Sequence, residues 1–223
     1  MSVDSLEDLM NRIRAFQESR VLLTAVELDL FSAVGQGATA AEVASRLQTD
    51  ERASEMLMNA LVALGMLQKK KGVFRNRQLA AQYFTQGSPD NLRLAMMHTA
   101  YLWERWSTLT ECVRTGTSQE RASGGERDRQ WTEAFIAAMD RNVVERAPLV
   151  MKAVHTSGVR RMLDVGEARA GTRSPSLRHR RNFTLKYLIC RRSSPLTEQY
   201  IEKSGLSERV KTRAGDLQSD EFG

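Results

Sequence analysis

Residues 160–192 read RRMLDVGEARAGTRSPSLRHRRNFTLKYLICRR, and this stretch decides the fold. Its first apolar run ends in Asp164-Val165-Gly166, which is typical of a buried parallel strand that enters a phosphate- or cofactor-binding turn. Such a turn normally continues with glycines, which let the backbone approach the ligand. Here Gly166 is followed by Glu167 and then by several arginines. The stretch therefore predicts an α/β nucleotide-binding sheet whose cofactor turn is interrupted.

The positive charge of the chain is concentrated in the same region. The chain has 33 basic and 27 acidic residues. Eight of the basic residues and one acid, Glu167, lie within 167–194. The rest of the chain therefore has 25 basic and 26 acidic residues, a net charge of −1. A clustered basic segment could be a nucleic-acid-binding arm. The same bias could also arise without selection for binding, so the charge alone leaves both interpretations open.

Composition and the N-terminus bound the class of protein. With 223 residues and 41% hydrophobic side chains, the chain is long enough for one large or two small domains with an ordinary core. Asp4, Glu7 and Asp8 lie where a secretory signal would carry positive charge, and no apolar run reaches membrane-spanning length. Cys112 and Cys190 are far apart and lack metal-ligand spacing. We therefore expect a soluble cytoplasmic protein with no membrane partner and no metal.

Two helices are predicted before residue 38. Apolar residues at three- and four-residue steps predict an amphipathic N-terminal helix, with Leu6, Leu9, Ile13 and Phe16 on one face. A second helix is predicted over 19–34, and its excess of apolar residues indicates burial on two sides. The first helix is short, so we expect it to pack on another element.

Residues 39–76 have the pattern of a winged helix. Thr39 and Glu42 form a capping-box signature, which predicts the start of one helix. Asp50 is expected to cap a second helix that runs through Leu64. A two-stranded hairpin is then predicted over 66–70 and 73–76.

Winged helices often bind DNA by placing their second helix in the major groove. In this chain that helix carries Asp50, Glu51 and Glu55 against Arg52, and phosphate would repel the resulting net charge of −2. A structural use of the module is therefore favoured, and no nucleic-acid partner is expected.

Long helices are predicted in the middle of the chain. One spans 91–115, a polar loop or hinge covers 116–129, and two further helices cover 131–139 and 142–155. Their large side chains either line an aromatic-substrate pocket or form ordinary core, and the sequence leaves both open. The candidate pocket residues are Met97, Tyr101, Trp131, Phe135 and Met139. His98 is interpreted as a packing histidine rather than a catalyst.

Several motifs in succession resemble a known family. The chain contains, in order, a short helix, a winged helix ending in LVALGML and KKKGVFRN, a helix with Trp103 and Trp106, the segment WTEAFIAAM, and RRMLDVG. This succession resembles the S-adenosylmethionine-dependent O-methyltransferases that carry a dimerisation domain. They include plant phenolic, acetylserotonin-type and bacterial polyketide or carotenoid enzymes. The resemblance covers 10–166 and resumes over 195–217.

The resemblance implies a fold, a partner and a reaction. It implies a mainly α-helical winged-helix dimerisation domain over 1–116, a hinge with connecting helices over 117–157, and a Rossmann-like α/β methyltransferase domain over 158–223. In that family the winged helix joins two subunits instead of binding DNA. The expected cofactor is S-adenosylmethionine, and the expected reaction is methyl transfer to a hydroxyl of a small aromatic molecule.

The family's cofactor contacts are a glycine-rich turn, an acid at the end of the second strand and a Gly-Asp pair near the adenine. Asp164 and Gly166 match the first motif in part, and Gly215 with Asp216 match the last. The acid has no counterpart, because position 189 is an isoleucine. Each lost charge-assisted hydrogen bond is worth roughly 1.5–3 kcal/mol. We therefore expect weak cofactor binding or none.

Residues 167–194 depart from the family's LDVGGGSG pattern. One permitted codon choice for 166–173, read one nucleotide earlier, encodes Gly-Gly-Ser-Gly-Gly-His-Ala, and the same offset over 183–194 permits LHAEVPDLPPVV. The sequence therefore predicts a frame-shifted segment, irregular over 167–181 and with a possible strand over 183–190.

The chain is also expected to be truncated. Its last residue, Gly223, comes before the family's catalytic histidine, so no catalytic residue is assigned. Two functions remain from the sequence. One is an O-methyltransferase by descent whose activity is doubtful, and the alternative is a catalytically inactive protein that dimerises through 1–116.

Overall fold

The computed structural model describes residues 4–118, 125–153, 159–165, 184–190, 194–203 and 205–215. The chain forms two compact units, Met1–Gly124 and Gly125–Gly223. Each unit has its own secondary structure and its own buried core.

Helices dominate the described part of the first unit. They are α1 (Leu6–Arg14), α2 (Phe16–Glu27), α3 (Leu30–Val34), α4 (Ala40–Leu47), α5 (Glu51–Ala63), α6 (Gln78–Phe84), α7 (Arg93–Ser107) and α8 (Leu109–Thr115). Strands β1 (Leu67–Lys70) and β2 (Val73–Asn76) form an antiparallel hairpin between α5 and α6. The helix–helix–hairpin order of the winged module is confirmed. The predicted N-terminal helix is confirmed as well, except that Phe16, expected on its apolar face, is the first residue of α2.

Side-chain caps set the starts of the two winged-module helices. At α4 the Glu42 backbone N–H donates to Thr39 Oγ1 at 3.3 Å, and the Thr39 N–H donates to Glu42 Oε2 at 2.7 Å, which completes the predicted capping box. At α5 the Ala53 N–H donates to Asp50 Oδ1 at 2.8 Å. Because both caps are local, they could be predicted from the sequence.

One hydrophobic core joins the helices of the first unit to its hairpin. Phe31 of α3 and Phe74 of β2 are fully buried in the same cluster. The Phe31 ring also stacks on that of Phe84 at the end of α6, with centroids 5.3 Å apart. Other large, fully buried members are Leu30, Val34, Met58, Leu61 and Leu67.

The single helix predicted over 19–34 is wrong, since α2 and α3 are separate. Asp29 lies between them in the left-handed region at φ 56°. Arg93 of α7 donates hydrogen bonds to the carbonyls of Val26 and Glu27, which end α2. This contact comes from a distant part of the chain, so apolar periodicity does not reveal it.

The single helix predicted over 91–115 is likewise divided, at Thr108, into α7 and α8. The Thr108 N–H and its hydroxyl both donate to the Arg105 carbonyl, at 3.2 and 2.8 Å. A bond between residues three apart tightens the turn, and the hydroxyl competes for the carbonyl that a continuing helix would use. The helix is therefore interrupted at this residue.

The second unit contains α9 (Gly125–Ala153), β3 (Arg161–Val165), β4 (Thr184–Cys190), α10 (Ser194–Lys203) and β5 (Val210–Gly215). The predicted pair of helices over 131–139 and 142–155 is wrong, because α9 is one helix of 29 residues that also includes the end of the predicted loop. Asp140 and Arg141, between the two predicted helices, include neither Gly nor Pro to stop it.

The strands of the second unit form a parallel sheet in the order β3-β4-β5. Leu185 of β4 and Val210 of β5 are buried together with Ile201 of α10, so this helix covers one face of the sheet. The strands predicted at 160–165 and 183–190 are confirmed. The structure of 167–181, predicted to be irregular, lies outside the described residues.

Neither a membrane-spanning helix nor a metal-ligand cluster occurs among the residues described. No helix there is long and apolar enough to cross a bilayer. No group of three or more His, Cys, Asp and Glu side chains is placed to hold a metal ion. The predicted three-part division at 116 and 157 stays a prediction.

Candidate cofactor-binding edge

The carboxyl ends of three parallel strands lie at one edge of the sheet in the second unit. Val165 pairs with Leu188, and Cys190 pairs with Gly215, so β4 and β5 extend past the end of β3. In open parallel sheets, ligands bind outside the carboxyl ends of the strands. We call this the candidate cofactor-binding edge.

Two of the four predicted cofactor residues lie at this edge. Asp164 is the residue before the end of β3, and Gly215 is the last residue of β5. Strand β4 lies between them, and two interstrand spacings put the backbones of β3 and β5 about 10 Å apart. Gly166 and Asp216, the other two, fall outside the described residues.

Strand β4 carries no acid in its described residues. Its sequence is TLKYLIC, and Ile189, where the family's acid was expected, pairs with Ala214 one residue before the strand ends. A carboxylate here would accept hydrogen bonds from ribose hydroxyls, which isoleucine cannot do. The described ends of the outer strands therefore carry the predicted Asp164 and Gly215, whereas the middle strand lacks its expected hydrogen-bond acceptor.

A cavity of about 500 Å³ opens towards the opposite, amino-terminal edge of the sheet. Its lining includes Arg161, Leu163, Lys186 and Lys211, and none of the predicted site residues. Lys186 and Lys211 are direct cross-strand neighbours, so the cavity wall is cationic and unsuited to a sulfonium group. Sequence reasoning missed this cavity because it depends on the register between strands.

The predicted substrate-pocket residues divide between the two units. Met97 and Tyr101 lie one turn apart on α7 in the first unit, and both are half-buried. Met97 packs against the hydrophobic core of that unit. Core packing therefore accounts for at least part of the burial of Met97.

The other three predicted pocket residues share one helix of the second unit. Trp131, Phe135 and Met139 lie at four-residue steps on α9, and all three are half-buried. The rings of Trp131 and Phe135 stack nearly parallel, with centroids 5.2 Å apart and an interplanar angle of 4°. Paired flat rings make an apolar wall of the kind that aromatic ligands contact.

His98 follows Met97 on α7. Burial lowers its pKa below the ordinary value of 6.5, because desolvation disfavours the charged imidazolium. The side chain is therefore neutral at pH 7. A neutral, partly buried imidazole fits the predicted packing role.

Residues 10–86 match the model of the O-methyltransferase dimerisation domain. The match begins within α1 and ends just after α6. This part of the chain therefore matches a helical dimerisation domain, and the structural use of the winged module stays a prediction.

The chain is also similar to longer methyltransferases. It is 29% identical over 209 residues to 3-hydroxy-5-methyl-1-naphthoate 3-O-methyltransferase of Streptomyces sahachiroi, and this alignment covers 91% of the present chain and 61% of the Streptomyces protein. It is 27% identical over 237 residues to N,N-dimethyltransferase OxyT of Streptomyces rimosus, and that alignment covers 98% of the present chain and 66% of OxyT. The chain thus spans less than two thirds of the length of these relatives.

The solved structure of PigF with SAH has the same fold. It superposes with a TM-score of 0.85 at 21% identity and covers 99% of this chain and 69% of PigF. The chain is therefore similar to methyltransferases in sequence and in fold, and over 10–86 it matches the O-methyltransferase dimerisation domain.

Proposed function

We propose that this chain belongs to a methyltransferase that transfers the methyl group of S-adenosylmethionine to a hydroxyl of a small aromatic molecule. The observation that carries the proposal is the position of Asp164 and Gly215 at the carboxyl ends of β3 and β5, on either side of β4. That edge is where open α/β sheets bind nucleotides.

The relatives support both the reaction class and the type of substrate. The name of the Streptomyces sahachiroi enzyme specifies methyl transfer to a naphthoate hydroxyl. OxyT is named an N,N-dimethyltransferase, so the acceptor atom differs among relatives of similar identity. We propose a hydroxyl acceptor, and methylation of an aromatic amine in its place would correct this part of the proposal.

In this proposal the chain's own residues bind and orient the cofactor. Asp164, Gly166, Gly215 and Asp216 are the proposed cofactor residues. The cofactor itself supplies an electrophilic methyl group on a sulfonium. Glycine at position 215 lets a ligand approach the backbone at the end of β5, because it has no side chain.

The proposed substrate-contacting residues are Met97 and Tyr101 on α7 of the first unit and, taken separately, Trp131, Phe135 and Met139 on α9 of the second unit. The best-supported of them are Trp131 and Phe135, since two parallel rings are preorganised for an aromatic ligand. A Phe135→Ala change should weaken binding of 1-naphthol, and fluorescence titration measures this. If Phe135→Ala and the unaltered chain bind 1-naphthol with equal affinity, the Trp131–Phe135 stack is core packing and does not contact the substrate.

Isothermal titration calorimetry of the full 223-residue chain with S-adenosylmethionine tests the cofactor site. We expect binding that weakens about tenfold in Asp164→Asn, which corresponds to the loss of one charge-assisted hydrogen bond. Glu208→Gln is the matched control, since it removes an acid near the cavity at the amino-terminal edge of the same sheet. Equal affinity in Asp164→Asn and the control would contradict the assignment.

The second candidate function is a dimerising protein without catalysis. It is favoured by the apolar Ile189 at the position of the ribose-binding acid. The same calorimetry separates the two functions. A folded dimer that gives no binding heat at millimolar S-adenosylmethionine supports the second function and overturns the first.

We also propose that 167–194 is encoded out of frame. This explains in one step the lost glycines after Gly166, the missing acid and the concentrated positive charge. Sequencing the transcript across codons 160–200 tests it. An intact transcript whose translation product carries the printed residues would show that the segment is part of the protein.

A further inference from the structure

The sheet of the second unit carries basic side chains on the face that α10 does not cover. Leu185 and Val210 are buried together with a residue of α10, on the covered face. Side chains alternate along a strand, so the following residues, Lys186 and Lys211, lie on the opposite face. Leu163 pairs with Lys186 and lies on that face as well. We call it the open face.

Three cations of the open face lie close together. Lys186 and Lys211 are direct cross-strand neighbours, with backbones about 5 Å apart. Arg161 is two residues before Leu163, the cross-strand neighbour of Lys186, so the backbones of Arg161 and Lys186 are about 8 Å apart along a diagonal. The long side chains of all three cations can therefore reach one bound group.

These cations have no anionic partner in the part of the chain that the structure describes. Arg161, Lys186 and Lys211 are exposed, and none of them forms an ion pair with another described residue. Like charges on neighbouring strands repel each other. A bound anion would remove this repulsion, so the open face favours a negatively charged ligand.

The cavity at the amino-terminal edge of the sheet can hold such a ligand. Its volume of about 500 Å³ is in the range of small-molecule pockets. The three cations belong to its lining, together with the half-buried Arg209 and the exposed Glu208. Four basic residues and one acid give the described lining a net charge of +3. The ligand should therefore carry more than one negative charge.

Part of the cavity wall is apolar. Leu163 is 41% exposed and lies between Arg161 and Lys186 on the open face. Parallel sheets normally bury both faces under apolar side chains, but an apolar cover here would leave the three cations without partners. An organic anion would satisfy both parts of the lining, since its charged groups would contact the cations and its organic part would cover Leu163.

We propose that this cavity binds a small organic diphosphate. Arg161, Lys186 and Lys211 contact the phosphates, because guanidinium and ammonium groups are the usual phosphate partners in proteins. The site lies at the opposite ends of the strands from the candidate cofactor-binding edge. Arg161 and Lys211 are outside 167–194, so these two contacts do not depend on the reading frame of that segment.

Isothermal titration calorimetry of the full 223-residue chain with ADP tests the site. We expect saturable binding that is at least about fivefold weaker in Lys211→Gln and in Lys186→Gln, because each change removes one charged contact. Lys211→Arg should keep the binding, since it keeps the charge. Lys70→Gln is the matched control, because it removes an exposed lysine of β1 in the first unit. It should bind ADP as the unaltered chain does.

Further titrations define which parts of the ligand are recognised. Adenosine has no phosphates and should bind at least about tenfold more weakly than ADP. Inorganic diphosphate should also bind more weakly than ADP, because it has no organic part to cover Leu163. Sodium chloride should weaken ADP binding, since salt screens exposed charges. Adenosine that binds as tightly as ADP would contradict recognition of the phosphates.

Three results overturn the proposal outright. They are the absence of binding heat with ADP, equal affinity for ADP in Lys211→Gln and Lys70→Gln, and ADP binding that is lost in Asp164→Asn but kept in Lys211→Gln. The last result would place ADP at the candidate cofactor-binding edge. Far-ultraviolet circular dichroism checks that each variant is folded.

The outcome is independent of methyl transfer. Lys211→Gln should bind S-adenosylmethionine as the unaltered chain does, because Lys211 is remote from the carboxyl ends of the strands. A chain that binds ADP through Lys211 and shows no heat with S-adenosylmethionine supports the diphosphate site while overturning the proposed reaction.

Discussion

Arg93 closes the carboxyl end of α2 beside Asp29. Its Nε lies 3.3 Å from Asp29 Oδ1, and its guanidinium donates to the carbonyl oxygens of Val26 at 2.8 Å and Glu27 at 3.0 Å. The Nε–Oδ1 contact is an ion pair without hydrogen-bond geometry, since Asp29 Oδ1 has no hydrogen-bond partner. The two carbonyl contacts therefore contribute most of the link between α7 and the α2–α3 corner.

Replacement of Arg93 by alanine should destabilise the protein by about 2 kcal/mol. Hydrogen bonds from a charged donor contribute roughly 1.5–3 kcal/mol, and the half-exposed setting reduces that contribution. Urea unfolding monitored by circular dichroism measures the change. Arg93→Lys should recover less than half of the loss, because a point charge cannot donate along two fixed directions. Full recovery would show that charge alone matters.

The Arg93 contact also explains why the sequence predicted one helix where there are two. Periodicity of apolar residues over 19–34 reports which side of the chain faces the core, and both α2 and α3 face it. The break at Asp29 depends on a partner more than 60 residues away. By contrast, the Thr39 cap of α4 was predictable because its partner lies three residues along the chain.

The Thr39–Glu42 capping box should make stability depend on pH at the acid end. Hydrogen bonds from the Thr39 backbone and hydroxyl lower the pKa of Glu42 below its ordinary value of 4.5. A carboxylate whose folded-state pKa is lowered contributes stability above its unfolded pKa, and that contribution is lost as pH falls through the folded-state pKa.

Glu42→Gln should therefore lower the thermal midpoint at pH 7 and have a smaller effect at pH 2.5, because the carboxylate's contribution to stability is lost as pH falls through its lowered pKa. Differential scanning calorimetry at the two pH values measures this. Glu51→Gln is the control, since Glu51 is the first-turn acid of α5. Equal effects of Glu42→Gln at both pH values would refute the charged role of the capping box.

Asn76 fixes β2 against the end of α3. Its Nδ2 donates to the carbonyl oxygens of Phe31 at 2.8 Å and Gly35 at 3.1 Å. Asn76→Asp should be more destabilising than Asn76→Ala, which we expect to cost about 1–2 kcal/mol. The introduced carboxylate has no donor and faces two acceptors, whereas alanine only removes the bonds.

Chemical unfolding at pH 7 and pH 3 separates these effects for Asn76. Protonation restores one donor to the introduced carboxyl, so the gap between the two variants should narrow at pH 3. A gap that is the same at both pH values would mean that the negative charge is not responsible.

Part of the candidate site was predictable because it lies on strands. LDVG placed Asp164 at the end of β3, as the structure has it. The Gly-Asp pair was matched only to a cofactor motif, and the structure adds that Gly215 ends β5. The cationic wall formed by Lys186 and Lys211 was not predictable, because cross-strand register depends on how β4 and β5 align. Apolar periodicity carries no information on that alignment.

Installing an acid at position 189 should strengthen cofactor binding. Ile189 is the residue before the end of β4, between the strands that carry Asp164 and Gly215. A carboxylate at the end of the second strand can accept hydrogen bonds from the ribose hydroxyls, and each charge-assisted bond contributes roughly 1.5–3 kcal/mol. Ile189→Glu should therefore bind S-adenosylmethionine at least about tenfold more tightly than the unaltered chain.

Two controls separate this effect from a general change in charge. Ile189→Gln keeps the length of the introduced side chain without its charge, so its gain in affinity should be smaller. Lys186→Glu places an acid three residues earlier in β4, away from the candidate cofactor-binding edge, and should leave affinity unchanged. Calorimetry on all four proteins gives the comparison. If Ile189→Glu binds no better than Lys186→Glu, the missing acid does not limit cofactor binding, and the end of β4 is not the ribose-binding position.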